Sequence, residues 1–182
     1  MTPATDIGGP LLALARGAIE QELGVRVEPA AVPRDLDRIG ASFVTLRSDA
    51  DLRGCIGTVE AWRPLADDVR ANAVAAAFRD PRFPPLRREE LGCVAIEVSV
   101  LNPREPLHAG SEESVVASLR PGIDGVVLEC GRHRATFLPQ VWEHLAQPRE
   151  FLRALKSKAG LAEEFWSDAM RVSRYTVEKF VE

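Results

Sequence analysis

Cysteine is scarce in this chain of 182 residues, lysine is scarcer beside arginine than in most proteins, and no apolar run is long enough to cross a bilayer. The cysteines, Cys55, Cys93 and Cys130, are odd in number and far apart. A secreted, disulfide-stapled domain needs dense, even cysteines, so at least one thiol here is expected to be free. The opening Met1-Thr2-Pro3-Ala4-Thr5-Asp6 lacks the basic flank of a secretory signal, and the expectation is a soluble, cytoplasmic protein with no membrane contact. Gly-x-Gly-x-x-Gly, P-loop and Gly-x-Ser-x-Gly patterns are missing, which removes sequence support for nucleotide cofactors and serine hydrolysis. His108, His133 and His144 stand alone and no Cys-x-x-Cys occurs, so neither a metal site nor a cofactor of the chain's own is expected. The formal charge of −4 excludes the broad basic surface of a generic DNA binder. There is no internal repeat, low-complexity tract or flexible linker.

What is present suits one domain, with 46% hydrophobic and 27% charged residues. Residues 1–10, with two prolines and two glycines, read as a loose arm. Pro10 is placed to open a helix over 10–23, whose apolar stripe is Leu11, Leu12, Ala15, Ala18, Ile19 and Leu23, with Gly24 at its end. Strand composition marks 41–47 and 52–59 around a turn at Ser48-Asp49-Ala50-Asp51. Pro64 opens a second helix over 64–79, with Asp67 and Asp68 in the first turn where the macrodipole favours acids. Asp80 to Pro85 holds three prolines and is expected to be a rigid loop packed against the Cys55 segment. Residues 93–101 alternate as a strand, with Val94, Ile96, Val98 and Val100 on one face and Cys93, Glu97 and Ser99 on the other.

A short helix over 112–119, a hairpin of 125–130 and 133–138, a helix over 148–159 closed by Gly160-Leu161, and strand character around Tyr175 complete the reading. Without regular βαβ alternation, the fold class expected is α+β, a mainly antiparallel sheet with packed helices.

Chemistry concentrates in Leu52-Arg53-Gly54-Cys55-Ile56-Gly57. On a regular strand Arg53 and Cys55 share a face, so the guanidinium can lower the thiol's pKa or grip an anionic substrate, with Cys55 as nucleophile or covalent anchor. Gly54 and Gly57 mark a bulge or a close backbone approach, by another segment or by a ligand. The competing structural reading makes Cys55 a small buried hydrophobe and the glycines mere packing. Arg82, held between Pro81 and Phe83, offers a fork of donors for an anion or clamps its loop to a helix end. Glu97 is a candidate base or the partner of one of the arginines.

The same residues carry a family resemblance. Leu52 to Thr58, Phe78 to Leu86, Ile96 to Leu101, Phe137 to Val141 and Lys158 to Leu161 keep the order and wording of the AMME chromosomal region protein family, called protein A of the AmmeMemoRadiSam system in prokaryotes. The resemblance spans 41–161; Trp142 to Arg149 is its least typical stretch. It implies one AMME-type domain of two intimately joined, interleaved lobes, with the Cys55 segment near the cleft between them. It implies two partners, a Memo-type dioxygenase-like protein and a radical S-adenosylmethionine enzyme, which would hold the metals and the radical chemistry. Whether the chain is an enzyme stays open. It can use Cys55 catalytically on a small-molecule substrate, serve its partners as an interaction or delivery module, or act as a nucleic-acid-linked regulator.

Overall fold

The computed structural model describes residues 7–25, 31–108 and 110–182, which divide into two compact units: residues 1–101 with Glu178–Glu182, and Asn102–Val177. In the first unit, α1 (Gly8–Glu22) and α2 (Leu65–Phe78) pack on one face of a sheet. Its strands are β1 (Ile39–Ser48), β2 (Asp51–Gly57), β4 (Val94–Leu101) and β9 (Val177–Val181), in the order β2-β1-β4-β9, with the two-residue β3 (Arg63–Pro64) also on β1. Alternation decides the faces. Val44, Leu46, Ile96, Val98 and Val100 point at the helices and are buried, so Thr45, Glu97 and Ser99 take the opposite face.

Several local signals act as their chemistry dictates. Gly24 ends α1 at φ 69°, with Val25 N donating to Glu20 O, the Schellman stop that only a left-handed residue permits at low cost. The β1–β2 turn is a two-residue one, Asp49 and Ala50, both at positive φ (48° and 73°), as the right-handed twist of a hairpin requires. Part of the expected arm is helix. Its first six residues lie outside the described ones, and Gly8, Gly9 and Pro10 already belong to α1. Proline is tolerated there because the first-turn amides have no helical acceptor in any case.

Asp68 departs furthest from its expected role. It is no solvated first-turn acid but fully buried. Its Oδ2 accepts from Ser42 N (2.8 Å), Ser42 Oγ (2.7 Å) and Asn72 Nδ2 (2.9 Å), and its Oδ1 accepts from Thr58 Oγ1 (2.9 Å) and Arg63 Nε (2.8 Å). A buried carboxylate survives only when its lone pairs are filled in this way. Helical periodicity could not find it, because all of its partners but Asn72 come from β1 and from residues 58–63.

The second unit is a smaller sheet, order β5-β8-β6-β7, of β5 (Glu105–Pro106), β6 (Gly125–Cys130), β7 (His133–Phe137) and β8 (Arg171–Tyr175), with α3 (Glu112–Ser118) and α4 (Pro148–Lys158). Its core is Val126, Leu128 and Val172 against Phe151, Leu152 and Leu155 of α4. Trp142 stacks on Phe151 at 3.8 Å between centroids and donates its indole N–H to Asp124 O at 2.7 Å. Gly160, at φ 77°, stops α4, and Leu161 N donates to Lys156 O. All sheet pairings with a resolved register are antiparallel, and the fold is α+β.

Removing the Asp68 carboxylate tests how much the first unit depends on it. Asp68→Ala strands the buried Asn72 amide and the half-buried Arg63 guanidinium, and is expected to lower the unfolding free energy by about 3 to 5 kcal/mol in urea denaturation. Asp67→Ala, one residue away and largely exposed, is expected to leave the midpoint unchanged.

Candidate functional site: the closed edge at Cys55

Among the described residues β2 is an edge of its sheet, with β1 as its sheet neighbour. In an antiparallel ladder a residue turns both backbone groups toward the neighbouring strand or both away. Cys55, in register with Thr45, turns both away. The proline loop meets them: Asp80 Oδ2 accepts from Cys55 N at 2.9 Å, and Arg82 Nη2 donates to Cys55 O at 3.1 Å. One ion pair thus stands where a neighbouring strand would, offering an acceptor and a donor at the right spacing. Pairs of this register also bring side chains close, and Thr45 Oγ1 donates to Cys55 Sγ at 3.3 Å.

The loop is built to hold that pair. Asp80 is buried; its Oδ1 accepts from Arg82 Nε (2.9 Å) and Arg82 N (3.1 Å), while Oδ2 accepts from Arg82 Nη2 (2.7 Å). Leu86 N donates to Ala77 O, and the Leu86 side chain enters the core, so the loop is tied at its far end to α2. The Arg82 fork, and behind it the amides of Cys55 and Arg82, hold the Asp80 carboxyl well below the usual carboxylate range against the opposing effect of burial. Arg82 is raised in turn, mainly by Asp80, with smaller contributions from the Cys55 side chain beside it. About half of the Arg82 side chain stays exposed (53%), and among the described residues its Nη1 makes no hydrogen bond.

The structure redistributes the roles expected from the sequence. A register shift between Leu46 and Arg47 leaves Arg53 as an extra, unpaired residue of β2, so the strict alternation that puts Arg53 and Cys55 on one face does not hold across this bulge. Arg53 instead forks onto Glu90, at 2.9 and 3.3 Å, and the cation next to Cys55 is Arg82. Arg82 clamps its loop to a strand edge rather than to a helix end. The glycines serve packing. A Cβ on Gly54 would overlap Ala76 O of α2, and one on Gly57 would overlap the Phe43 ring. Glu97 pairs with a lysine, Lys179 Nζ at 3.0 Å, not with an arginine.

In register, Cys55, Thr45 and Glu97 form one polar rung across β2, β1 and β4. Thr45 and Asp80 were not legible as site residues; the one available signal for Asp80 was an Asp-Pro-Arg turn, which places a carboxylate near the amide two residues on. Cys55 is half-buried, Cys93 is exposed, and no group of three or more His, Cys, Asp or Glu able to hold a metal occurs among the described residues. His133 is in register with Cys130 but spends its Nδ1 on Ala159 O at 2.9 Å. A cavity of about 620 Å³ between α1 and α2 is floored by Ala18, Ala71 and Val74 and is not lined by Cys55.

Two measurements follow. Glu90 is held down to about 2, first by the Arg53 fork and then by the Arg87 amide, from an ordinary 4.5. Asp80 is depressed as well, so both carboxylates contribute stability that is complete above about pH 4.5 and is lost as the pH falls toward 2. Unfolding free energy from chemical denaturation should decline steadily over that window, and Glu90→Gln should flatten the decline while lowering stability at pH 7 by roughly 1 to 3 kcal/mol. Gly54→Ala should destabilise by about 1 to 3 kcal/mol at every pH, because its obstacle is helix backbone and not a movable side chain.

The comparisons with known proteins agree on kinship. The chain is 40% identical to a protein of Methanothermobacter thermautotrophicus over 97% of its own length and 95% of that protein's. It is 41% identical to one of Thermotoga maritima, covering 86% and 87% of the two chains. The crystal structure of an uncharacterised protein from Pyrococcus horikoshii superposes with a TM-score of 0.79 at 36% identity, covering 96% of this chain and 91% of that one. The AMMECR1 family profile matches residues 12–180. With nearly the whole described fold inside that match, the chain belongs to the AMMECR1 family.

Proposed function

We propose that the chain acts together with a Memo-type, dioxygenase-like protein and a radical S-adenosylmethionine enzyme, and that the Leu52 to Gly57 strand forms its substrate-binding or catalytic cleft, with Cys55 as nucleophile or covalent anchor. The observation that carries this reading is the convergence on Cys55: its amide, its carbonyl and its sulfur each have a dedicated partner, from Asp80, Arg82 and Thr45 respectively. A thiol is activated by donors and positive charge near the sulfur, and here the hydroxyl of Thr45 and the guanidinium of Arg82 are those groups. A rigid strand and a proline-stiffened loop fix them before any substrate arrives. The metal and radical steps belong to the partners in this reading, and the chain supplies the positioned sulfur.

A non-catalytic delivery role is the second reading. Ile39 (56% exposed), paired with Pro64 between β1 and β3, and Trp62 (66%), just before β3, give apolar surface of the kind partners use. A nucleic-acid role has less support, since Arg16, Arg53, Arg63, Arg82, Arg120, Arg153 and Arg174 are already bonded to carboxylates.

The two leading readings separate in one experiment on a chain carrying Cys93→Ser and Cys130→Ser. Iodoacetamide is expected to label Cys55 in the folded protein, at a rate that falls several-fold in Arg82→Gln, and addition of the purified Memo-type protein or radical S-adenosylmethionine enzyme should protect it. Labelling that needs denaturant would remove Cys55 as nucleophile. Labelling unaffected by either partner, with no complex by sedimentation, would remove the partnership.

A further inference from the structure

We infer that the second unit carries a binding groove for an organic anion, a carboxylate with a hydrocarbon portion, at the end of its sheet where β8 begins. The groove arises from strand geometry. β5 gives only two residues to the ladder with β8, Glu105 opposite Arg174 and Pro106 opposite Ser173. Leu107 N makes one more bond, to Val172 O at 2.8 Å, and among the described residues the start of β8 has no strand on that side. The space so opened measures about 470 Å³, inside the range of small-ligand sites.

Its lining divides into an apolar part and a polar one, in which the Glu129 carboxylate stands beside Arg171, Ser173 and His108. Leu107 and Met170 present side chains that also pack against the second core, which fixes them as a wall. Val172 points into that core, so its neighbours Arg171 and Ser173 turn the other way. Arg171 faces Glu129 across β6 and β8, where an ion pair is expected. That carboxylate is instead bonded to Arg134 at 3.2 Å, and among the described residues the Arg171 guanidinium has no hydrogen bond or ion pair. The Ser173 hydroxyl and the His108 ring line the same groove. A guanidinium whose facing carboxylate is held by Arg134, with a hydroxyl and an imidazole beside a fixed apolar wall, matches a carboxylate joined to a hydrocarbon chain, because the fork takes the anion while the wall takes the chain.

Octanoate is a suitable probe, titrated calorimetrically into the full chain, with acetate and 1-octanol as half-ligands. One octanoate is expected to bind saturably, with amide shifts at Met170 and Ser173, and each half-ligand at least tenfold more weakly. Arg171→Gln is expected to weaken octanoate by roughly ten- to a hundredfold, the loss usual for a hydrogen bond to a charged group. Its site is exposed, so its thermal midpoint should not move. Cys55→Ser should bind octanoate as the parent does, which separates this groove from the reading of Cys55. No saturable binding, equal binding of 1-octanol, or an unchanged affinity in Arg171→Gln would overturn the proposal.

Discussion

An edge strand must do something with the amides and carbonyls it turns away from its sheet, and at Cys55 that requirement organises the surroundings. Leaving them bare would cost about 1 to 3 kcal/mol per buried group and expose a template for unwanted strand pairing. The Asp80 and Arg82 side chains fill both positions. To do so they must be held to a fraction of an ångström, which explains why the loop is stiffened by Pro81, Pro84 and Pro85 and anchored by Leu86. It also explains the company of the sulfur: once Arg82 reaches the Cys55 carbonyl, its charge stands next to the thiol. Backbone satisfaction and thiol environment are therefore one arrangement, and neither can change alone.

The two buried acids of the first unit divide the labour. Asp68 binds α2 to β1 and to the residues following β2, while Asp80, at the other end of the same helix, binds the proline loop to β2. Between them α2 lies so close to the sheet that Gly54 meets the carbonyl of Ala76, and the alanines at 73, 76 and 77 keep that approach open. Glycine at 54 is thus required by helix proximity.

The sequence was most informative where a single period or a single stop residue decides the outcome. Alternation located β4, and Gly24 and Gly160 located the ends of two helices, because those signals depend on neighbours within a few residues. The site was legible as a segment and not as a constellation. Arg53 lies two residues from Cys55 and reads as its partner, but one extra residue in β2 sends it to Glu90, and a bulge leaves no mark that composition can detect. Arg82 lies 27 positions away from the carbonyl it grips, and Asp68 lies 26 from Ser42. Such pairings are decided by tertiary geometry, for which a lone chain gives no period to count.

The final strand gives the first unit a particular relation to time. Glu178 to Glu182 belong with residues that precede the second unit, and Glu182 is bonded to Arg16 across 166 positions as well as to both backbone groups of Ile96. A chain emerging from the ribosome makes β1, β2 and β4 early, yet cannot close that sheet's far edge until all of the second unit has been made. The second unit depends on no such late arrival. Its folding can precede the closure of the first, shortening the effective loop that Arg16 and Glu182 must close from a long flexible coil to a folded body with tethered ends, so the entropy of that closure is met in two instalments.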